Sequence, residues 1–400
     1  MDLNIIKQLA QKSDSKILLC VLDGLGGLPG SKGRTELEDA STPNLDKLAH
    51  KSDLGLSIPV ERGITPGSGP GHLALFGYDP IEYQIGRGAL EATGIEFKLE
   101  DNDLAARGNF CTVDNNGNIT DRRAGRISTD ICENLTAKIE TAINIDGYEV
   151  FVKPVKEHRF ILVIRGEGLS DQITETDPQS VGVPPKNASA LIASAENTAN
   201  IVNSAVKQAV EVIKEEIQAN SLTLRGWSHK PEMPHFANTW GVKAAAIAAY
   251  PMYKGLANIV GMDVLQTGTT IDEEIDTLEN SWDHYDFFFL HYKNTDTYGE
   301  DGNFPEKKAA IEYYDRLVPR LTALNPDVIV VTGDHSSPTM MAAHSWHPVP
   351  LLISSQYVRK NKHSGFSEQE CSKGNLGMLY AKNLMALAFA HAGRLNKYGA

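Results

Sequence analysis

The chain has 400 residues, 41% hydrophobic and 22% charged, a composition that folds into about two to three ordinary domains and does not stay disordered. Its 38 Lys and Arg face 51 Asp and Glu, a formal charge of −13. Nucleic-acid and anionic-membrane binders need an electropositive face, so neither is expected, whereas a small phosphorylated substrate stays compatible if cations sit locally.

The N-terminal MDLNIIKQLA lacks the basic-then-apolar layout of a signal peptide. No apolar run approaches the roughly 18 residues that a bilayer span requires. Cys20, Cys111, Cys132 and Cys371 have neither zinc-ribbon nor CxxC spacing, and a chain this long with four cysteines is no disulfide framework. A soluble, reduced, cytoplasmic protein is expected.

KILLCVLDG (16–24) is the first predicted strand. TPNLDKLAHK (42–51) predicts a helix with Thr42 as N-cap and Pro43 at its first position. GITPGSGPGHLALFGYDP (63–80) is a Gly/Pro-rich loop feeding a short apolar helix. From about 100 to 225 the texture changes to alternating stretches such as VFVKPVKEHRFILVIRG (150–166), with Asn/Gly-rich turns at DNNGN and NIDG. These read as hairpins, followed by an amphipathic helix over 187–219. RGWSHKPEMPHFANTWG (225–241) reads as a return linker. YDFFFLHYKNTD (285–296), PDVIVVTGDHS (326–336) and PVPLLIS (348–354) predict further strands, and PEKKAAIEYYDRLVPRL (305–321) a helix. Continuous Val/Ile/Leu/Phe runs are strands buried on both faces, which means a mainly parallel sheet covered by helices. The fold class is therefore α/β: a discontinuous catalytic domain over 1–85 and 240–400, interrupted by an α+β domain over 100–235.

Functional residues of open α/β sheets gather beyond the carboxyl ends of the strands. Asp23, Asp296, Asp334 and His335 follow the three buried runs there, with Glu300 four residues past Asp296 and His344 nine past His335. One such Asp alone caps a helix or makes a turn. Three strands ending this way, the third with His beside Asp, would repel one another without cations. Two divalent ions with oxygen-rich ligation plus His resolve that conflict. Ser68, between Gly67 and Gly69, stands where a ligand could approach its hydroxyl closely. The loop is not a hydrolase elbow, since Pro66 and Pro70 occupy the outer glycine positions. DGLGGLPG is not a dinucleotide fingerprint, since Pro29 replaces its third Gly. No nucleotide cofactor is expected.

DGLGG, TPNLDKLA, PGSGPGHLALFGYDP, KNTDTYGEDG, GDHSSP and HSWHPVP occur in this order. Together they resemble the cofactor-independent phosphoglycerate mutases, in their archaeal-type branch, within the alkaline phosphatase superfamily. The resemblance spans essentially the whole chain and implies an alkaline-phosphatase-like core. It further implies Ser68 as a nucleophile carrying a phosphoserine, Asp23, Ser68, Asp334 and His335 on one metal, and Asp296, Glu300 and His344 on the other. Many relatives carry His where Glu300 stands. That change favours Mn²⁺ or Mg²⁺ over Zn²⁺, with Co²⁺ also compatible. No bisphosphoglycerate is required. Lys254 is expected to neutralise phosphate during transfer. Arg107, Arg122, Arg123, Arg126, His158 and Arg159 are candidates for the substrate's carboxylate and phosphate.

The expected reaction interconverts 3-phosphoglycerate and 2-phosphoglycerate, with the inserted domain closing to exclude water. The alternatives are a phosphatase or homoserine-kinase-like phosphotransferase on the same core, and an inactive metal-binding module. All seven ligand positions carry competent side chains, against the inactive module. His229, His235, His284, His291 and His363 lie in no motif and read as structural or exposed.

Overall fold

The computed structural model describes residues 2–359 and 363–399. Its strands are β1 (Ile17–Leu22), β2 (Ser52–Ile58), β3 (Asp103–Val113), β4 (Ile119–Asp121), β5 (Glu149–Lys156), β6 (Arg159–Arg165) and β7 (Ser221–Ser228), then β8 (Ala244–Ile247), β9 (Asp263–Val264), β10 (Phe287–Tyr292), β11 (Val328–Thr332), β12 (Val349–Ser355) and β13 (Gly377–Tyr380). They belong to two compact units, Met1–Gln84 with Met233–Ala400, and Ile85–Glu232.

The first unit holds a sheet of order β13-β2-β12-β11-β1-β10-β8-β9. Its pairings are parallel except those of β12, so PVPLLIS enters the sheet against the direction of its neighbours. Strands β1, β10 and β11 are buried along their whole length. Alternate side chains serve opposite faces. Leu18, Cys20, Phe288, Leu290 and Val331 pack with Ile275 and Leu278 of the helix Ile271–Ser281 and with Ile311 and Tyr314 of the helix Phe304–Ala323. On the opposite face Phe287 and Phe289 meet Phe236 and Phe76. Burial pushes the Cys20 thiol up to about 12, which leaves it an inert core residue.

The helix Pro43–Ala49 forms as expected, but Thr42 makes no side-chain cap bond to it. Its free N–H groups at Asn44 and Leu45 donate instead to the Asp315 carboxylate, at 3.0 and 2.7 Å. A side chain of the helix Phe304–Ala323 thus does the work of a local cap.

The second unit holds an antiparallel sheet of order β4-β3-β6-β5, with β7 on the other side of β3. One face is covered by the helices Thr129–Ala142 and Glu196–Ile213, whose Leu135, Ile139, Val202 and Ile213 pack on Phe110, Leu162 and Ile164. The other face receives the helix Arg87–Gly94, whose Ala89 and Ala92 pack on Ala105, Ile161 and Val163. A Cβ at Gly88 would lie 2.1 Å from the Ala105 carbonyl, so only glycine lets that helix lie so near. Because this helix packs on β3, the unit begins at Ile85 and not near 100.

Two expected elements change. The helix predicted over 187–219 is confined to 193–213. Ahead of it the backbone pairs with 172–174, through Thr174 N–H to Ser189 and Leu191 N–H to Gln172, so those groups are unavailable to a helix. Leu191, Ile192 and Ile217, apolar residues within the range 187–219, are exposed. Residues 225–228 of the expected linker belong to β7 and pair with β3.

Glu274 lies buried in the helix Ile271–Ser281 and accepts the Ala249 N–H at 2.6 Å. Burial pushes its carboxyl from 4.5 up to about 8, against the lowering effects of that bond and of Lys254. Between those two values the folded chain binds more protons than the unfolded one, so its stability is full below 4.5 and declines as pH rises to about 8. Glu274→Gln keeps an acceptor for the amide and removes the decline. The melting temperature of the variant relative to the parent is expected to climb from about pH 5 to pH 8, by the equivalent of about 1–3 kcal/mol. Parallel melting curves across that range would contradict this.

Candidate active site

Since β11, β1 and β10 are adjacent, the residues that follow them converge. Asp23 follows β1, Asp296 sits in the helix Asn294–Glu300 that follows β10, and Asp334 and His335 follow β11. All four are buried. His335 Nε2 stands 3.2 Å from Asp23 Oδ1, 3.3 Å from Asp334 Oδ2 and 3.8 Å from Asp296 Oδ1. His344 stacks on His335 at 3.7 Å, with Nε2 3.5 Å from Asp296 Oδ1 and 3.4 Å from Glu300 Oε1. The ligand-capable atoms form two groups, Asp23 with Asp334 and His335, and Asp296 with His335 and His344. His335 belongs to both. Glu300 is more than half exposed at the rim, reached through His344.

Ser68 opens the helix Ser68–Leu75, with Gly67 in the cap position. Its Oγ lies 3.3 Å from His335 Nε2. A Cβ at Gly71 would fall 2.4 Å from the Asp334 carbonyl, so this glycine lets the serine-bearing helix press against the loop after β11. His72, one turn past Ser68, places Nδ1 2.9 Å from the Ser68 carbonyl and 3.1 Å from Asp334 Oδ2.

Two lysines tie the loops together. Lys307, fully buried, donates to the carbonyls of Gly24, Gly26 and Ser337 at 2.9, 3.1 and 2.8 Å. Lys293 reaches Asp23 Oδ2 at 3.1 Å and Asp296 Oδ2 at 2.5 Å. The Tyr253 hydroxyl donates to Asp23 Oδ2, and its ring stacks on His291 at 3.7 Å. Burial opposes ionisation of Asp23, but Lys293, with His291 and His335, outweighs it and holds the carboxyl well below the usual range. Burial likewise opposes protonation of His344. Glu300, the Pro66 carbonyl and Asp296 override it and raise the imidazole to about 9.

The donor set suits a hard or borderline divalent cation. Asp23 Oδ1 and Asp334 Oδ2 are buried without a hydrogen-bond partner, as expected of oxygens that a cation would satisfy.

One face of the second unit gathers positive charge. On the β3 face that also carries Ala105, Arg107 stands opposite Arg225 of β7, and Asn109 opposite Arg159 of β6. Burial lowers Arg107 to about 10, helped by Arg87, Arg159 and Arg225 and resisted by Glu91. The Nε atoms of Arg107 and Arg159 are buried without a partner. Burial, then Arg159, pushes His158 down to about 4, so at neutral pH it contributes no positive charge. Arg123 and Arg126 are exposed in the turn after β4, and Arg122 pairs with Asp177 at 2.8 Å.

Sequence reasoning missed His72, Tyr253, His291, Lys293, Lys307, Arg87 and Arg225. His291, read as structural or exposed, lies 3.2 Å from Asp23 Oδ2. Lys254 is half-buried one residue past Tyr253, where its charge acts on Glu274. Lys293 is the lysine among the carboxylates. The available signals were spacing: His72 at Ser68 plus four, Lys293 at Asp296 minus three, and His291 in phase with Phe287 and Phe289.

Fold and donor set define an α/β protein with a candidate centre for divalent cations beside a serine hydroxyl. The model of the 2,3-bisphosphoglycerate-independent phosphoglycerate mutase family matches residues 49–218. A probable 2,3-bisphosphoglycerate-independent phosphoglycerate mutase of Aquifex aeolicus is 52% identical over 100% of both chains. A protein of the same name from Thermus thermophilus is 50% identical over 99% of each. Among solved structures, a Pyrococcus horikoshii protein superposes with a TM-score of 0.83 at 30% identity, covering 96% of this chain and 99% of its own. The cofactor-independent phosphoglycerate mutase of Thermoplasma acidophilum gives 0.73 at 32%, covering 95% and 100%. The chain belongs to the 2,3-bisphosphoglycerate-independent phosphoglycerate mutase family.

Because His335 Nε2 faces Asp23 and Asp334 most closely, His335→Ala is expected to weaken one event in an isothermal titration with Mn²⁺, and His344→Ala the other. Two undisturbed binding events in His335→Ala would refute His335 as a ligand.

Proposed function

We propose that the protein interconverts 3-phosphoglycerate and 2-phosphoglycerate without bisphosphoglycerate, passing the phosphoryl group through Ser68. The observation that carries this reading is Ser68 Oγ, 3.3 Å from the imidazole shared by the two ligand groups, in a chain of this family. Asp23, Asp334, His335 and Ser68 would hold one divalent ion, and Asp296, His344 and Glu300 the other. The predominance of oxygen ligands favours Mn²⁺, with Mg²⁺, Co²⁺ or Zn²⁺ also accommodated. Such ions, when bound, polarise the serine hydroxyl and the phosphoryl oxygens.

Ser68 Oγ attacks phosphorus, the bond from phosphorus to the C3 oxygen breaks, the serine proton leaves Oγ and the departing oxygen takes up a proton. The return step forms the bond to the C2 oxygen and restores the serine. The phosphoryl group on Ser68 stands at the N-terminus of an eight-residue helix, whose first N–H groups favour an anion. Arg107, Arg159 and Arg225 offer planar donors for a carboxylate or phosphate, while His158 offers an uncharged contact. Arg123, Arg126 and Lys254 complete the candidate set. The reading places the protein in the cytoplasm, in keeping with four free, buried cysteines. Among the described residues no helix is long and apolar enough to cross a membrane.

Purified protein given 3-phosphoglycerate and Mn²⁺ is expected to yield 2-phosphoglycerate, and a chelator to abolish turnover. Ser68→Ala should lower kcat by about 10³-fold or more with the fold retained. Free phosphate as the main product would favour the phosphatase reading, and near-parental mutase activity in Ser68→Ala would exclude the phosphoserine. Arg107→Leu should raise KM about tenfold, the value of a charge-assisted hydrogen bond. An unchanged KM would remove Arg107 from substrate binding.

A further inference from the structure

The two oxygens of the site's carboxylates have different surroundings. Asp23 turns Oδ1 toward His335 Nε2 and leaves it without a hydrogen-bond partner. Its Oδ2 faces Lys293 Nζ at 3.1 Å and His291 Nε2 at 3.2 Å, and accepts the Tyr253 hydroxyl. Asp296 turns Oδ1 toward His335 and His344, where it also accepts Ser337 Oγ at 2.5 Å. Its Oδ2 is held by Lys293 Nζ at 2.5 Å. One ammonium therefore grips the outward oxygen of a carboxylate from each ligand group. It is itself held in place, since Nζ lies 3.1 Å from the Tyr253 oxygen and only 26% of the side chain is exposed.

We propose that Lys293 is an ion-selecting residue: by occupying Oδ2 of both Asp23 and Asp296, it makes each carboxylate a one-oxygen ligand and so discriminates against large cations such as Ca²⁺. This rests on the reading that the two groups bind divalent ions. Ca²⁺ reaches its roughly six to eight oxygens largely by taking carboxylates two oxygens at a time, whereas Mg²⁺ keeps a near-octahedral shell. Mn²⁺ shares the preference for six oxygen or nitrogen ligands. A clamp on the outer oxygens denies Ca²⁺ its second contact and leaves the smaller ions unaffected. A lysine that only balanced charge would act otherwise, since removing it would tighten every divalent ion by a similar factor.

The two possibilities separate without any measurement of turnover. Full-length protein stripped of metal is titrated with Mn²⁺, the free ion being followed by its paramagnetic resonance signal, and Ca²⁺ is then added as competitor. In Lys293→Met the ratio of Ca²⁺ to Mn²⁺ affinity is expected to rise about tenfold or more, the usual scale for losing a group that orients a metal ligand. Tyr253→Phe, which deletes one hydroxyl from the same Asp23 oxygen, should move the ratio the same way by a smaller factor. It carries the test if circular dichroism shows that Lys293→Met does not fold. An unchanged ratio, or an equal gain for both ions, would overturn the clamp while leaving the metal site standing. A parent chain that bound no Mn²⁺ would overturn both.

Discussion

Electrostatic repulsion among buried carboxylates governs this molecule. Asp23, Asp296 and Asp334 are each at most 1% exposed and point at one imidazole nitrogen. Like charges this close and this dry are tolerable only with compensating cations. The chain supplies part of the compensation itself, through Lys293 on two of the carboxylates and through His72 beside the third. Lys307 fixes the backbone of the two loops that carry Asp23 and Asp334. The parallel packing of β11, β1 and β10 forces the three acids together, and Gly71 brings Ser68 in beside them. Sheet order, loop chemistry and helix placement all serve one concentration of negative charge.

One face of the second unit concentrates positive charge in a similar way. Its antiparallel sheet needs only one face for its main core, and the arginines stand on the other. Burial first, and then the nearby charges of Arg87, Arg159 and Arg225, disfavour protonation of Arg107. An anion bound there would relieve a repulsion already present, and so would bind to a surface organised in advance. The acidic surplus of the whole chain conceals this, because net charge does not record how arginines gather on one face.

What could be read from the sequence had local signatures. Continuous apolar runs marked β1, β10 and β11, and Asp or His immediately after them marked the convergence. Ser68 announced itself through its glycine and proline neighbours. His291, Tyr253 and Lys293 carried no such mark, because their meaning lies in contact with Asp23, more than two hundred residues earlier. His291 sits inside a strand where any residue in phase with Phe287 and Phe289 reads as core. Arg225 is hidden because Gly226 and the prolines beyond it weigh as turn signals, although residues 225–228 belong to a strand. The helix is shorter than the periodicity over 187–219 implies for a related reason. Periodicity counts apolar residues without knowing that Leu191 and Ile192 precede the helix, where the backbone bonds to 172–174.

The interrupted order of the first unit also sets when its parts can come together. Ile17 pairs with Phe287 on one side and with Val328 on the other, so β1 must wait for most of the chain to be synthesised before either neighbour exists. The strands of Ile85–Glu232 depend on partners within one continuous stretch, with far less chain to close between contacts. This stretch can therefore fold on the ribosome first, while β1 remains an unpaired apolar segment in need of protection. Asp334, His335 and His344 emerge last among the ligands, so the cation-binding centre matures only near the end of synthesis.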